Sequence, residues 1–336
     1  MAKNSAITIA DTTVAPGERA LISLPIADLY TGTSLSMPVE VINGKRPGPV
    51  LFVCAAIHGD ELNGVEIIRR LLKRKSLRSL RGTLLAVPIV NVHGFLDQSR
   101  YLPDRRDLNR SFPGSPRGSI AARTADTFVK HVISKADCGI DLHTAALNRS
   151  NLPQIRADLS DSGTAELAKL FGAPVVIDST IRDGSLRGYG SELGIPVLLY
   201  EAGEALRFHE VSIRAGLRGV INVMRHLGML PATKKPKLIK PVVADSTSWV
   251  RAPDSGIVSR KVKLGARVVE GQRLAVVSNP LGKQETKVLA PFDGIVIGRS
   301  MVPLAHEGDA LFHIAAFKSV SRAEDKVEEF HARHTS

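Results

Sequence analysis

Two histidines in this chain stand where apolar runs end. His58 follows the run Pro49–Ile57 and opens His58-Gly59-Asp60-Glu61, just ahead of a segment with helical spacing. An imidazole at a strand end and a carboxylate three residues on, at a helix start, can converge on one ion, and Gly59 permits the tight turn between them. Alone the pair says little, because a Glu three places after a His is common. His143 adds weight, closing Asp141-Leu142-His143 at the end of another apolar strand. Two imidazoles and one carboxylate make up the ligand set of catalytic zinc sites, which leave the fourth position to water. Asp141 shares its face of the strand with His143 and can hold that imidazole in one tautomer.

Further polar groups surround these. An irregular segment from Asn91 to Gly118 carries Arg100-Tyr101 and then Asp107-Leu108-Asn109-Arg110-Ser111-Phe112. Connections of that length are usually functional, and guanidinium groups beside an asparagine suit recognition of a carboxylate. Arg105 and Arg106 read as solvated loop charge. Glu201 follows the strand Pro196–Tyr200, where a carboxylate can act as general base on activated water. Glu204 sits nearer the next helix, and compensation of its dipole is the ordinary reading. Glu201 is the preferred base.

The elements that must position these groups alternate along the chain. Strands are expected at residues 37–43, Pro49–Ile57, Thr83–Ile89, Cys138–Leu142, Pro174–Ile177 and Pro196–Tyr200. Between them, helical spacing runs over Asp60–Lys75, Ser119–Lys135, Ser162–Phe171 and Ala205–Leu227. That alternation predicts an α/β domain over 1–230, a mostly parallel sheet flanked by helices, with ligands beyond the carboxyl ends of the strands. A Lys- and Pro-rich linker spans 231–241, and a charged tail 319–336.

Between linker and tail lies an internal repeat. Ala252-Pro253-Asp254-Ser255-Gly256-Ile257-Val258 recurs as Ala290-Pro291-Phe292-Asp293-Gly294-Ile295-Val296, and Glu270-Gly271-Gln272-Arg273-Leu274 as Glu307-Gly308-Asp309-Ala310-Leu311. Short strands joined by Gly turns, twice over, predict a smaller all-β C-terminal domain at 242–318, a two-fold β-sandwich. The repeat resembles biotinyl/lipoyl-type barrel-sandwich domains. Lys283 falls in the hairpin where carriers of that type attach their group, but no methionines flank it, so a structural or interaction module is expected.

Composition narrows the function. The chain has 336 residues, 43% hydrophobic and 23% charged, as ordinary globular proteins do. No apolar run approaches the ~20 residues that cross a bilayer, and no signal peptide is evident, so a cytoplasmic protein without membrane contact is expected. Cys54 and Cys138 read as free buried thiols. The formal charge is +12; residues 236–336 hold 15 Lys and Arg against 11 Asp and Glu, so +4 lies there and the remaining +8 elsewhere. A spread excess with 4% aromatics suits a small anionic substrate better than nucleic acid. Assembly into a homo-oligomer is compatible with all of this.

The order H-G-D-E-x-N-G at 58–64, Arg100-Tyr101, D-L-N-R-x-F at 107–112, Asp141-Leu142-His143 and Glu201-x-Gly203 resembles the succinylglutamate desuccinylase/aspartoacylase family, relatives of zinc carboxypeptidases, over about residues 37–230. The resemblance implies one Zn²⁺ per chain on His58, Glu61 and His143. It implies that Arg100 polarises the scissile carbonyl, that Asn109 and Arg110 grip a substrate carboxylate, and that Glu201 activates water. The reaction would be hydrolysis of the amide bond of a small N-acyl amino acid, with N-acetyl-diaminobutyrate, the substrate of some bacterial relatives, as a candidate. A peptide carboxypeptidase and a non-catalytic metal- or ligand-binding protein are the alternatives. One departure stands out: relatives place a tyrosine late in the chain, and here none follows Tyr200.

Overall fold

The structure, a computed structural model, describes residues 3–179, 181–233 and 239–334; residues 234–238 of the expected linker lie outside the described residues. A 13-stranded sheet organises the molecule. At its centre Val197–Glu204, Cys138–Ala145, Arg46–Ala55 and Arg81–Val87 lie side by side and parallel. Every residue of Cys138–Ala145 is buried, as expected of strands covered on both faces. The flanks are antiparallel. Ser34–Asn43 and Arg19–Asp28 follow Arg81–Val87 on one side, and Arg149–Ala157 pairs with Val197–Glu204 on the other.

Helices cover both faces. Asn63–Leu72, Ser162–Phe171 and Glu210–His226 enclose a core with Ile67, Ile68, Leu71, Phe171 and Tyr200. On the opposite face Ile120–His131 brings Phe128 against Phe52, ring centroids 5.9 Å apart and edge-on. Each such fully buried aromatic contributes roughly 1.5–3 kcal/mol relative to exposure. The helix expected from Ala205 begins at Glu210, because the preceding strand runs on to Glu204 and the chain then turns through Leu206 at φ 55°. No described helix is long and apolar enough to cross a membrane.

The repeat shows in the strand pairing. Gly256–Arg260 pairs with Arg273–Ser278 of its own half and with Leu304–Ala305 of the other. Gly294–Ser300 pairs with Ala310–Ala316 of its own half and with Arg267–Val268 of the other. A two-fold axis produces that pattern.

This β unit continues the main sheet. Gly298, Arg299 and Ser300 pair with Asn151, Ser150 and Arg149, and Val242–Ala244 runs parallel to Val175–Asp178. The charged tail folds as a helix, Val320–His334. Its buried residues Ala323, Val327, Phe330 and His334 recur at helical spacing, and Phe330 joins the core that encloses Ile67 and Tyr200.

Candidate active site

His58 lies three residues past the strand Arg46–Ala55, and Glu61 two residues before the helix Asn63–Leu72. The turn between them is tight against the next loop: a Cβ on Gly59 would fall 1.9 Å from the carbonyl carbon of Gly94. His143, from the neighbouring strand, completes the group. Ligand atoms of His58, Glu61 and His143 all lie within 4.8 Å of one another, and all three residues are buried.

Each imidazole is held on both sides. His143 has Nδ1 at 2.8 Å from Glu61 Oε2 and Nε2 at 2.7 Å from Asp141 Oδ2. His58 has Nδ1 at 2.7 Å from Glu61 Oε1 and Nε2 at 3.1 Å from Asp107 Oδ1. Glu61 faces Nδ1 of both rings and an outer carboxylate faces each Nε2, so once the Nδ1 protons leave, the Nε2–H contacts fix the tautomer in which Nδ1 can ligate a metal. Asp107, whose part was not expected from sequence, matches Asp141 in this.

Charge is balanced here. Burial opposes ionisation of Glu61, but His58 and His143 outweigh it and hold its carboxyl well below the usual carboxylate range. Burial likewise works against His143⁺ and is overcome by Asp141 and Glu61; His58 is raised in the same way by Glu61 and Asp107. Three buried ligating groups converging on one point, the two imidazoles oriented from behind by Asp107 and Asp141, fit a divalent ion of borderline softness such as zinc.

One cavity of about 190 Å³ opens over this group, lined also by Arg100, Asn109, Arg110 and Glu201. Arg100 reaches Glu61 Oε1 at 3.4 Å and Asp107 Oδ2 at 3.1 Å. Asn109 accepts from the backbone N–H of Leu186 at 2.9 Å, which leaves its amide N–H groups for the cavity. Glu201 sits beside His143 in the parallel ladder and opposite Gln154 in the antiparallel one. Its Oε2 accepts from Asn151 at 2.9 Å and Gln154 at 3.3 Å and lies 3.1 Å from Arg156 Nε. Glu204 is absent from this lining and faces Arg207.

Sequence reasoning missed several residues that complete the cavity. Asn151 and Arg156, which line it, and Gln154, which holds Glu201, come from the strand Arg149–Ala157, whose apolar content is too low to read as a buried strand. Trp249 comes from the C-terminal β unit and reaches the lining. It pairs with His313 across the ladder, the two rings stacked at 4.7 Å and 6°. The close approach depends on Gly298, where a Cβ would meet Asn151 Oδ1 at 2.8 Å and His313 Cβ at 3.1 Å.

The fold and this arrangement define a member of a known hydrolase class. The sequence pattern of the succinylglutamate desuccinylase/aspartoacylase catalytic domain matches residues 47–227, more than half of the chain, and the protein belongs to that family. It is 26% identical over 317 residues to the N-alpha-acetyl-L-2,4-diaminobutyric acid deacetylase of Halomonas elongata, covering 89% of this chain and 91% of the relative. The product-bound ectoine utilization protein EutE (DoeB) of Ruegeria pomeroyi superposes with a TM-score of 0.81 at 25% identity, over 94% of this chain and 100% of that one. A succinylglutamate desuccinylase/aspartoacylase structure from Rhodobacter sphaeroides gives 0.79 at 25% identity, over 89% and 96%.

Proposed function

We propose that this protein is a zinc-dependent amidohydrolase that removes the acyl group from a small N-acyl amino acid. The observation that carries the reading is the meeting, in one small cavity, of the His58–Glu61–His143 cluster with a carboxylate, Glu201, that stands outside the cluster. When held by those three residues, one zinc ion per chain supplies Lewis acidity, which brings the pKa of water toward neutrality. Glu201 takes the proton from water and returns it to the leaving amine. Asn151 and Gln154 hold its Oε2 in place for both transfers. Arg100, at the edge of the cluster, donates to the oxyanion that develops on the amide oxygen. Asn109 and Arg110 bind the substrate carboxylate and fix the amide against the cluster. Asp107 and Asp141 keep both imidazoles in the ligating tautomer.

At about 190 Å³ the cavity is smaller than the roughly 300–1,000 Å³ pockets that hold drug-sized ligands, which favours a small compound over a peptide chain. We assign the protein to the cytoplasm, acting on an anionic N-acyl compound. The test is a screen of N-acetyl, N-succinyl and N-formyl amino acids, Nα-acetyl-2,4-diaminobutyrate among them, with zinc present. Release of a free amino acid is expected from at least one, and loss of release on chelation. A zinc-loaded protein that cleaves unblocked dipeptides and no N-acyl compound refutes the reading.

A further inference from the structure

Away from the active site, a cavity of about 580 Å³ lies on the seam where the C-terminal β unit and the tail helix meet the catalytic unit. The catalytic unit contributes Leu152, Pro153, Phe208 and Val211 to it, the β unit Leu264 and Met301, and the helix Val320–His334 contributes His331. The seam backs onto the active cavity through Asn151, which lines both. Successive side chains of a strand face opposite ways, so Asn151 turns to Glu201 while Leu152 packs with the core that holds Ile295 and Val327. The walls are mostly apolar, and Phe208 is left 66% exposed. The volume falls within the roughly 300–1,000 Å³ of pockets that hold drug-sized ligands.

One end of the seam is positive. Arg299 donates through Nη1 to the carbonyl of Val262 at 3.3 Å, which sets it beside Lys263. Its Nε is buried and has no hydrogen-bond partner among the described residues, an unfavourable state for a polar N–H. Arg260 stands close by, its guanidinium taken up by the carbonyls of Ser300, Met301 and Val302 at 3.1, 2.8 and 2.8 Å. Burial, and then Arg299, pull the Arg260 pKa below its usual value. Glu204 is the one carboxylate among the described lining residues, and Arg207 faces it at 3.7 Å. Burial lowers the pKa of His209 and of His331, so both stay neutral at pH 7. A lysine and an arginine without an acid between them, at the end of an apolar hollow, suit a carboxylate carried on an apolar body.

We propose that this seam is a second ligand site, separate from the active site, for a small carboxylate with an apolar body. Lys263 and Arg299 bind the carboxylate; Leu152, Phe208, Val211 and Leu264 take the apolar part. The ligand touches both units at once, so it binds the folded chain and holds the β unit against the catalytic sheet. It needs neither the metal nor Glu201, and the inference stands apart from the deacylase reading.

Calorimetric titration of the full-length, zinc-loaded chain with 4-phenylbutyrate, 4-phenylbutanol, 4-phenylbutylamine and acetate tests it. The first three share one apolar body and differ in head group, and acetate offers the head group alone. 4-Phenylbutyrate should bind about tenfold tighter than any of the others, the effect of a charge-assisted contact, and should raise the melting temperature. That binding should persist in Arg110→Ala and after zinc is chelated. Lys263→Glu, at an exposed position, should weaken it by about tenfold or more, with the neutral Lys263→Met intermediate; melting without ligand shows that each variant folds. Equal binding of acid and alcohol, no saturable binding of the acid, or binding that Arg110→Ala removes and Lys263→Glu keeps overturns the site. So does a dimer in sedimentation that Phe208→Ser dissolves and that takes up no 4-phenylbutyrate, because a second copy of the chain then covers the seam. Each of these results is read without turnover, so none of them bears on deacylation.

Discussion

Asp141→Asn isolates the work of a residue that touches neither substrate nor metal. The side chain is buried, 1% exposed, with Oδ2 2.7 Å from His143 Nε2 and Oδ1 3.5 Å from Cys54 Sγ. Asparagine fills the same space, so the core of the sheet survives the change. The charge behind the imidazole does not. The amide can still accept from Nε2–H, but more weakly; if it turns its N–H groups toward Nε2, the ring is fixed in the other tautomer and Nδ1, now protonated, is lost as a metal ligand. Removing such an oriented carboxylate typically weakens metal affinity by 10- to 100-fold, about 1.4–2.7 kcal/mol. The larger figure is expected here, because the contact is short and both side chains are buried. Asp107→Asn should fall nearer tenfold, since its contact with His58 is 3.1 Å, its side chain is 17% exposed, and it also serves Arg100. Competition against a fluorescent zinc chelator at fixed pH gives both constants, with circular dichroism of the zinc-free proteins as a check on folding. Zinc affinity within threefold of wild type in a folded Asp141→Asn protein would refute the tautomer argument.

Glu201→Gln should keep full zinc content and lower kcat by roughly 10²–10⁴-fold, the range for a positioned acid–base group; undiminished turnover would move the base elsewhere. A further expectation concerns pH. In the zinc-free chain His58 and His143 have folded pKa values raised above the ordinary ~6.5, so protonation stabilises the fold, fully below about pH 6.5, and that stability is lost as pH climbs through the raised values. Zinc requires the same nitrogens deprotonated, so the loaded chain gains stability over that window. Melting temperatures above neutral pH should therefore fall without zinc and rise with it, and parallel curves would contradict the balance of charge described for the cluster.

The meeting of the two histidines was legible because each closes an apolar run, one ending in His58 and another in His143. The helix over Ser162–Phe171 was read with its observed bounds, since Asp161 caps it and Gly172 ends it in a left-handed turn. What escaped were residues whose partners are distant in sequence. Asn151, Gln154 and Arg156 lie on a strand too polar for the apolar pattern, because one edge of it faces the cavity. Trp249 could not be connected to the site at all, since only the pairing of Gly298 with Asn151 and of Trp249 with His313 carries it there. The tail read as charged, yet Ala323, Val327, Phe330 and His334 recur on one face of the helix it forms and are buried there.

The ladder between Arg149–Asn151 and Gly298–Ser300 has a consequence for what the repeat unit can be. A carrier has to travel, swinging a tethered group between partners that are tens of ångströms apart. Here the unit is stitched to the catalytic sheet, and Trp249 is built into the wall of the cavity. Moving it would break the ladder and open the site. Lys283, exposed on its turn, therefore sits on an anchored body, and the unit serves as masonry for the cavity wall.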